Sequence, residues 1–183
     1  MSSLAGRLLV ATPALTEPNF ARSVVLLLEH GDEGALGVIV NRPTEIPVSE
    51  VLPEWQPVVS RPGVLFQGGP VSLDGALGLV APAGAGLPPG ARAVPGGLAL
   101  VDLDTPTEEV LPQISGARIF AGYAGWGAEQ LEGEIEEGAW YVVDALPVDA
   151  FRADAADLWR LVLRRQRGPL ALLSTYPPDP TLN

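Results

Sequence analysis

Few side chains in this chain are able to do chemistry. It holds a single histidine, His30, and no cysteine, which removes thiolate nucleophiles, disulfides, Cys-ligated metals and multi-histidine metal sites. His30 follows Glu29 at the end of an apolar run, so a carboxylate-oriented imidazole base is one reading. A histidine satisfying the backbone of a turn, beside a solvated carboxylate, is the plainer and favoured one. Asn41-Arg42-Pro43 offers a planar guanidinium fork for a carboxylate or phosphate, set against an ordinary ion pair within an acidic protein. In Gln67-Gly68-Gly69-Pro70 the glycines permit close backbone approach to a ligand or, more simply, a tight turn. Glu132 and Glu136 stand four apart and could share a hard cation, but with no further ligand a solvated helix face accounts better for them.

The stretch Gly122-Tyr123-Ala124-Gly125-Trp126-Gly127 leaves the backbone bare between two amphipathic aromatics, directly before an acidic segment. A strand-to-helix turn there would present free N–H groups and a helix N-terminus to an anionic or polar ligand, with Tyr123 and Trp126 as walls. Equally, both aromatics could anchor the core while the glycines make room for close packing. There is no phosphate-cradling glycine loop, no nucleophile elbow and no dinucleotide fingerprint, so no catalytic residue is assigned and no metal or cofactor is called for.

The elements that must position these residues are short. Runs of Val, Leu and Ile at 7–11, 23–29, 35–41, 63–67, 76–81, 98–102, 117–123 and 139–143 read as strands. The second and third form a hairpin through a five-residue loop, His30 to Gly34, placed at the centre of the sheet. Helices are expected over 105–114, with Thr105 as cap and Pro106 in the first turn; over 128–137, with Leu131 and Ile135 on one face; and over 154–167. The last has Asp154 as cap and Gly168-Pro169 as stop, and its arginines, Arg160, Arg164, Arg165 and Arg167, complement the helix dipole. Residues 82–97, rich in Pro and Gly, read as a long surface loop. Strands come in groups without βαβ alternation, which predicts a single α+β domain spanning 1–183 around an antiparallel or mixed sheet.

With 47% hydrophobic residues, 183 residues can bury a core without metal or disulfide staples. Twenty-two acidic residues against 11 arginines give a net charge of −11, which repels phosphate backbones and anionic membranes and argues against direct nucleic-acid binding. The apolar run Leu8 to Ala11 is too short for a signal peptide and no segment is long enough for a membrane helix, so a cytoplasmic location is expected.

Taken together, Ala11-Thr12-Pro13, Asn19-Phe20, Ser23-Val24-Val25, Glu29-His30, Gly34-Ala35-Leu36-Gly37, Asn41-Arg42-Pro43, Gly68-Gly69-Pro70-Val71, Gly122 to Trp126, Gln130-Leu131, Glu134 and Trp140 resemble the YqgE/AlgH family. The match runs over about residues 4–145. The resemblance implies a barrel-like central sheet surrounded by helices and no defined molecular activity. One branch of that family is named as a transcriptional regulator; for this acidic chain such a role would be indirect, through protein contacts. The candidate ligand or partner surface is Glu29, His30, Asn41, Arg42, Gly68, Gly69, Pro70, Gly122, Tyr123, Gly125, Trp126 and Gln130. The expected function is a non-enzymatic cytosolic binding or regulatory protein for a small molecule or protein partner. The competing reading is a small-molecule enzyme with Glu29 or His30 as base and Arg42 as anion clamp.

Overall fold

The apolar runs pair because both of their faces must leave water. In the computed structural model, which describes residues 2–84 and 86–176, they form ten strands in one curled sheet. These are β1 (Leu8–Ala11), β2 (Val24–Gly31), β3 (Gly34–Ile39), β4 (Pro43–Pro47), β5 (Val64–Gln67), β6 (Val71–Pro82), β7 (Ala91–Val94), β8 (Leu98–Val101), β9 (Ile114–Trp126) and β10 (Trp140–Val143). Four short helices, α1 (Thr107–Val110), α2 (Gln130–Glu136), α3 (Leu158–Arg164) and α4 (Pro169–Leu172), lie outside the sheet. The order is β10-β1-β2-β3-β9-β6-β8-β7, with β4 joined through β5 to β9. The β5–β9 pair is parallel and the others antiparallel, giving a half-barrel of the α+β class.

Side chains alternate between two buried faces. Leu8, Val10, Val24, Leu26 and Phe120 line the inner face with Leu158, Trp159 and Val162 of α3, which repeat at helical spacing. Leu9, Val25, Leu27 and Ile39 point outward to Leu131 of α2 and to Trp126 and Trp140. On the other half, Val80, Ala117 and Ile119 pack against Val48, Trp55 and Val110. Alternation along β9 reverses at Gly122. Phe120 faces the inner cluster, yet three residues on Tyr123 does so too, while Ala124 and Trp126 turn outward. Gly122 takes φ 74°, the conformation that lets one residue slip the phase at no Cβ penalty.

Several local expectations are corrected. The 30–34 loop is tighter: β2 runs through His30 to Gly31 and β3 begins at Gly34, leaving Asp32 and Glu33 as the turn. Residues 124–126 are strand, paired as Ala35 with Trp126 and Leu36 with Gly125, so Gly122 to Trp126 is no strand-to-helix turn. The tract 82–97 holds β7, a hairpin partner of β8. The helix expected over 105–114 is α only from Thr107 to Val110; it tightens into a 3-10 turn over Leu111–Gln113, with Pro112 in that turn, and Ile114 already belongs to β9. The helix expected over 154–167 is α only from Leu158 to Arg164; Asp154 does not cap it, since Arg152 holds its carboxylate at 2.8 and 3.1 Å. Among the described residues no helix is long and apolar enough to cross a membrane.

Candidate functional site

A bulge aims His30. Between the pairs Leu27–Gly37 and Glu29–Leu36, Leu28 is an extra residue on β2, and the strand beyond it changes phase. His30, opposite Ala35, therefore points outward to α2, while Glu29 points the other way, 3.8 Å from Arg92 with both side chains largely exposed. The His30 side chain is only 3% exposed. Its Nδ1 accepts the Leu4 N–H at 2.9 Å, so the partners assign the proton to Nε2, which donates to Glu132 Oε1 at 3.1 Å. That hydrogen bond holds the Glu132 carboxyl below its usual range. Both ring nitrogens are thus occupied. A general base needs a free lone pair, and His30 has none in this arrangement.

Beside the pair runs an open groove of about 740 Å³, lined by Ser3, His30, Asp32, Glu129, Glu132 and Glu136 among others. Glu129 enters it from a left-handed backbone, φ 62°, where a non-glycine residue is strained. A second depression of about 450 Å³ shares His30 and Asp32 with this groove and adds Glu29, Glu33 and Trp126. The acidic face of α2, expected to be merely solvated, is split: Glu132 holds His30, and Glu134 is an internal acceptor. Glu134 Oε1 takes the indole N–H groups of Trp126 and Trp140 at 3.1 and 3.0 Å, and Oε2 takes Gln130 Nε2–H at 2.9 Å. Gln130 in turn accepts the Gly127 N–H at 3.0 Å. Phe20 meets both indoles, edge-on to Trp140.

Arg42 lies at the other end of β3. From Ala35, the partner of His30, to Arg42 is seven residues, about 20 Å at strand rise, beyond the reach of cooperating catalytic groups. Its guanidinium donates to the carbonyls of Pro18, Asn19 and Ala21. Asn41 works beside it, accepting the Val24 N–H at 2.9 Å and donating to Arg22 O at 3.0 Å. Together they fasten the β1–β2 connection, which seats Phe20 against the two indoles. Gly68 and Gly69 serve backbone crossing: a Cβ on Gly68 would stand 2.4 Å from Gly122 O, and one on Gly69 2.2 Å from the Tyr123 carbonyl. Pro70 follows, exposed. Tyr123 and Trp126 lie on opposite faces of β9 and do not wall one pocket.

Over this geometry the family model described as AlgH-like (DUF179) matches residues 8–171. This chain belongs to the AlgH-like family. It is 58% identical to a UPF0301 protein of Streptomyces coelicolor, covering 100% of this chain and 97% of that one. A UPF0301 protein of Thermobifida fusca is 53% identical, with 99% and 96% covered. Among solved structures, protein DIP2367 from Corynebacterium diphtheriae superposes with a TM-score of 0.90 at 37% identity, covering 96% and 94%. The solution structure of the AlgH protein from Pseudomonas aeruginosa gives 0.70 at 28%, covering 96% of each chain. These names carry a fold and no specific activity.

In this AlgH-like chain the residues that mark the family are largely fasteners, and others escaped sequence reasoning. Arg118 is 1% exposed, stacks on Phe66 at 4.1 Å and donates to the carbonyls of Ala150, Arg152 and Arg61. Burial pushes its pKa down to about 10. A charge inside the apolar run 117–123 was the available signal. Arg165, assigned only to the helix dipole, grips the buried Asp149 with two bonds of 2.7 Å.

Proposed function

We propose that this AlgH-like protein is a non-enzymatic binding module of the cytoplasm that captures a positively charged protein segment in the groove between the β2–β3 hairpin and α2. The observation that carries this reading is the convergence of Asp32, Glu129, Glu132 and Glu136 on one open groove that no arginine lines among the described residues. Such a concavity concentrates negative potential and favours a basic partner. The groups that would run a reaction are committed elsewhere: both nitrogens of His30 are bonded and Arg42 holds three carbonyls. Of the other residues singled out in the sequence, Glu29 points away from the groove beside Arg92 and Gln130 is bonded to Glu134, while Asn41, Arg42 and the glycine crossings hold the surrounding fold. A regulatory effect would follow from the captured protein rather than from DNA contact.

The test is an NMR titration of the labelled protein with a short poly-arginine peptide, and with poly-glutamate as control. Shifts confined to residues 30–33 and 129–136, weakened by salt and by the Glu129→Gln, Glu136→Gln double substitution, are expected. Absence of such shifts, or equal binding by the double variant, refutes the assignment.

A further inference from the structure

The N-terminal segment is tied down through the imidazole. Leu4 N–H donates to His30 Nδ1 at 2.9 Å, and Ser3 Oγ donates to the His30 carbonyl at 3.2 Å. The Leu4 side chain packs on the outer cluster with Leu9, Leu27 and Leu131. The chain then continues through Gly6 N–H to Leu27 O at 2.8 Å into β1. One side chain thus joins the N-terminal segment, the hairpin and α2.

This junction tolerates only one protonation state. With Nε2 donating to Glu132, the lone pair on Nδ1 is the sole acceptor for the Leu4 amide. A proton from solvent placed on Nδ1 sets two N–H groups against each other across that 2.9 Å contact, and one of them must leave. The described charged groups nearest the ring are carboxylates. Glu132 on α2 touches it, and Glu129, Glu136 and Asp32 line the same groove; β3 contributes only Ala35, and the Glu29–Arg92 pair lies on the far face. Imidazole is the side chain that gains charge between about pH 8 and pH 5. We infer that His30 is a proton-operated latch: neutral, it fastens Leu4 to the hairpin; protonated, it keeps Glu132 and releases the N-terminal segment, uncovering the apolar surface beneath Leu4. This device acts whatever occupies the groove.

His30 is the single histidine, so its Cε1–H signal follows the titration without overlap. The experiment measures that signal together with the amide-exchange protection of Leu4, from about pH 7.5 to about pH 5. The expected result is a loss of Leu4 protection of about tenfold or more, tracking the His30 titration. His30→Asn places an amide oxygen near the position of Nδ1 and cannot titrate, so its Leu4 protection should not change with pH. By reciprocity, Leu4→Pro, which removes the donor, should raise the His30 midpoint relative to Leu4→Ala, which keeps it. The latch is overturned if His30 stays neutral to pH 5, if it protonates while Leu4 stays protected, if the Asn variant loses protection equally, or if the Pro and Ala variants share one midpoint.

Discussion

Replacing Arg118 by Met removes a buried charge and orphans three carbonyl oxygens. Hydrogen bonds from a charged donor contribute roughly 1.5–3 kcal/mol each, so three contribute roughly 4.5–9 kcal/mol. Against this stands the burial of the guanidinium: a pKa drop from 12.5 to about 10 corresponds to a penalty of about 3 kcal/mol on the charged form. The difference leaves Arg118→Met less stable by about 3 kcal/mol, or about 6–12 °C in Tm for a domain of this size. Urea unfolding followed by tryptophan fluorescence reads the change directly. Arg118→Lys separates geometry from charge, because a single ammonium cannot span the carbonyls of Arg61, Ala150 and Arg152. It should lose about 2 kcal/mol. A Met variant within about 1 kcal/mol of the parent, or a Lys variant equal to it, would show that the three bonds do not hold the C-terminal segment to the sheet.

Further outcomes follow from the same contacts. Arg42→Ala should free the loop carrying Phe20 at a cost of about 1–2 kcal/mol, with hydrogen exchange at residues 17–22 rising while the strands stay protected. In Gly34→Ala the new Cβ would stand 2.1 Å from Trp126 O, so a loss of about 3 kcal/mol or more is expected in thermal unfolding. Acid should weaken the fold through Glu132 and Asp154, whose carboxyls are held below 4.5 and 3.8 by hydrogen bonds from His30 and Arg152. Their contribution is complete above those values and is lost as pH falls through the lower folded-state pKa; Glu132→Gln should flatten that part of the stability profile measured by urea titration.

Eight of the ten strands were legible because Val, Leu and Ile runs survive between turn residues. Strands β4 and β7 were not: Pro43 and Pro47 bracket one, and the other lies inside a Pro/Gly tract, where composition signals a loop but backbone pairing overrides it. The stretch Gly122 to Trp126 reads as a turn because of its glycines, whereas Gly122 serves a phase slip in a long strand and Gly125 sits within that strand. Site geometry was less legible, since its contacts are distant in sequence. His30 meets Glu132 across 102 residues and Leu4 across 26, while Arg42 meets Pro18 across 24. Local spacing cannot announce such pairs. The strand bulge at Leu28 that decides where His30 points leaves no mark in an unbroken apolar run.

The acidic groove as a capture surface is tested most directly by paired affinity capture. Immobilised wild-type protein and the Glu129→Gln, Glu136→Gln variant, matched for folding by circular dichroism, are exposed to the same cell extract and eluted with salt. The prediction is a basic protein retained by the wild type and lost from the variant, whose purified form then shifts residues 30–33 and 129–136 in the NMR spectrum. Identical retention by both proteins, or a partner that perturbs a surface away from the hairpin and α2, would contradict it.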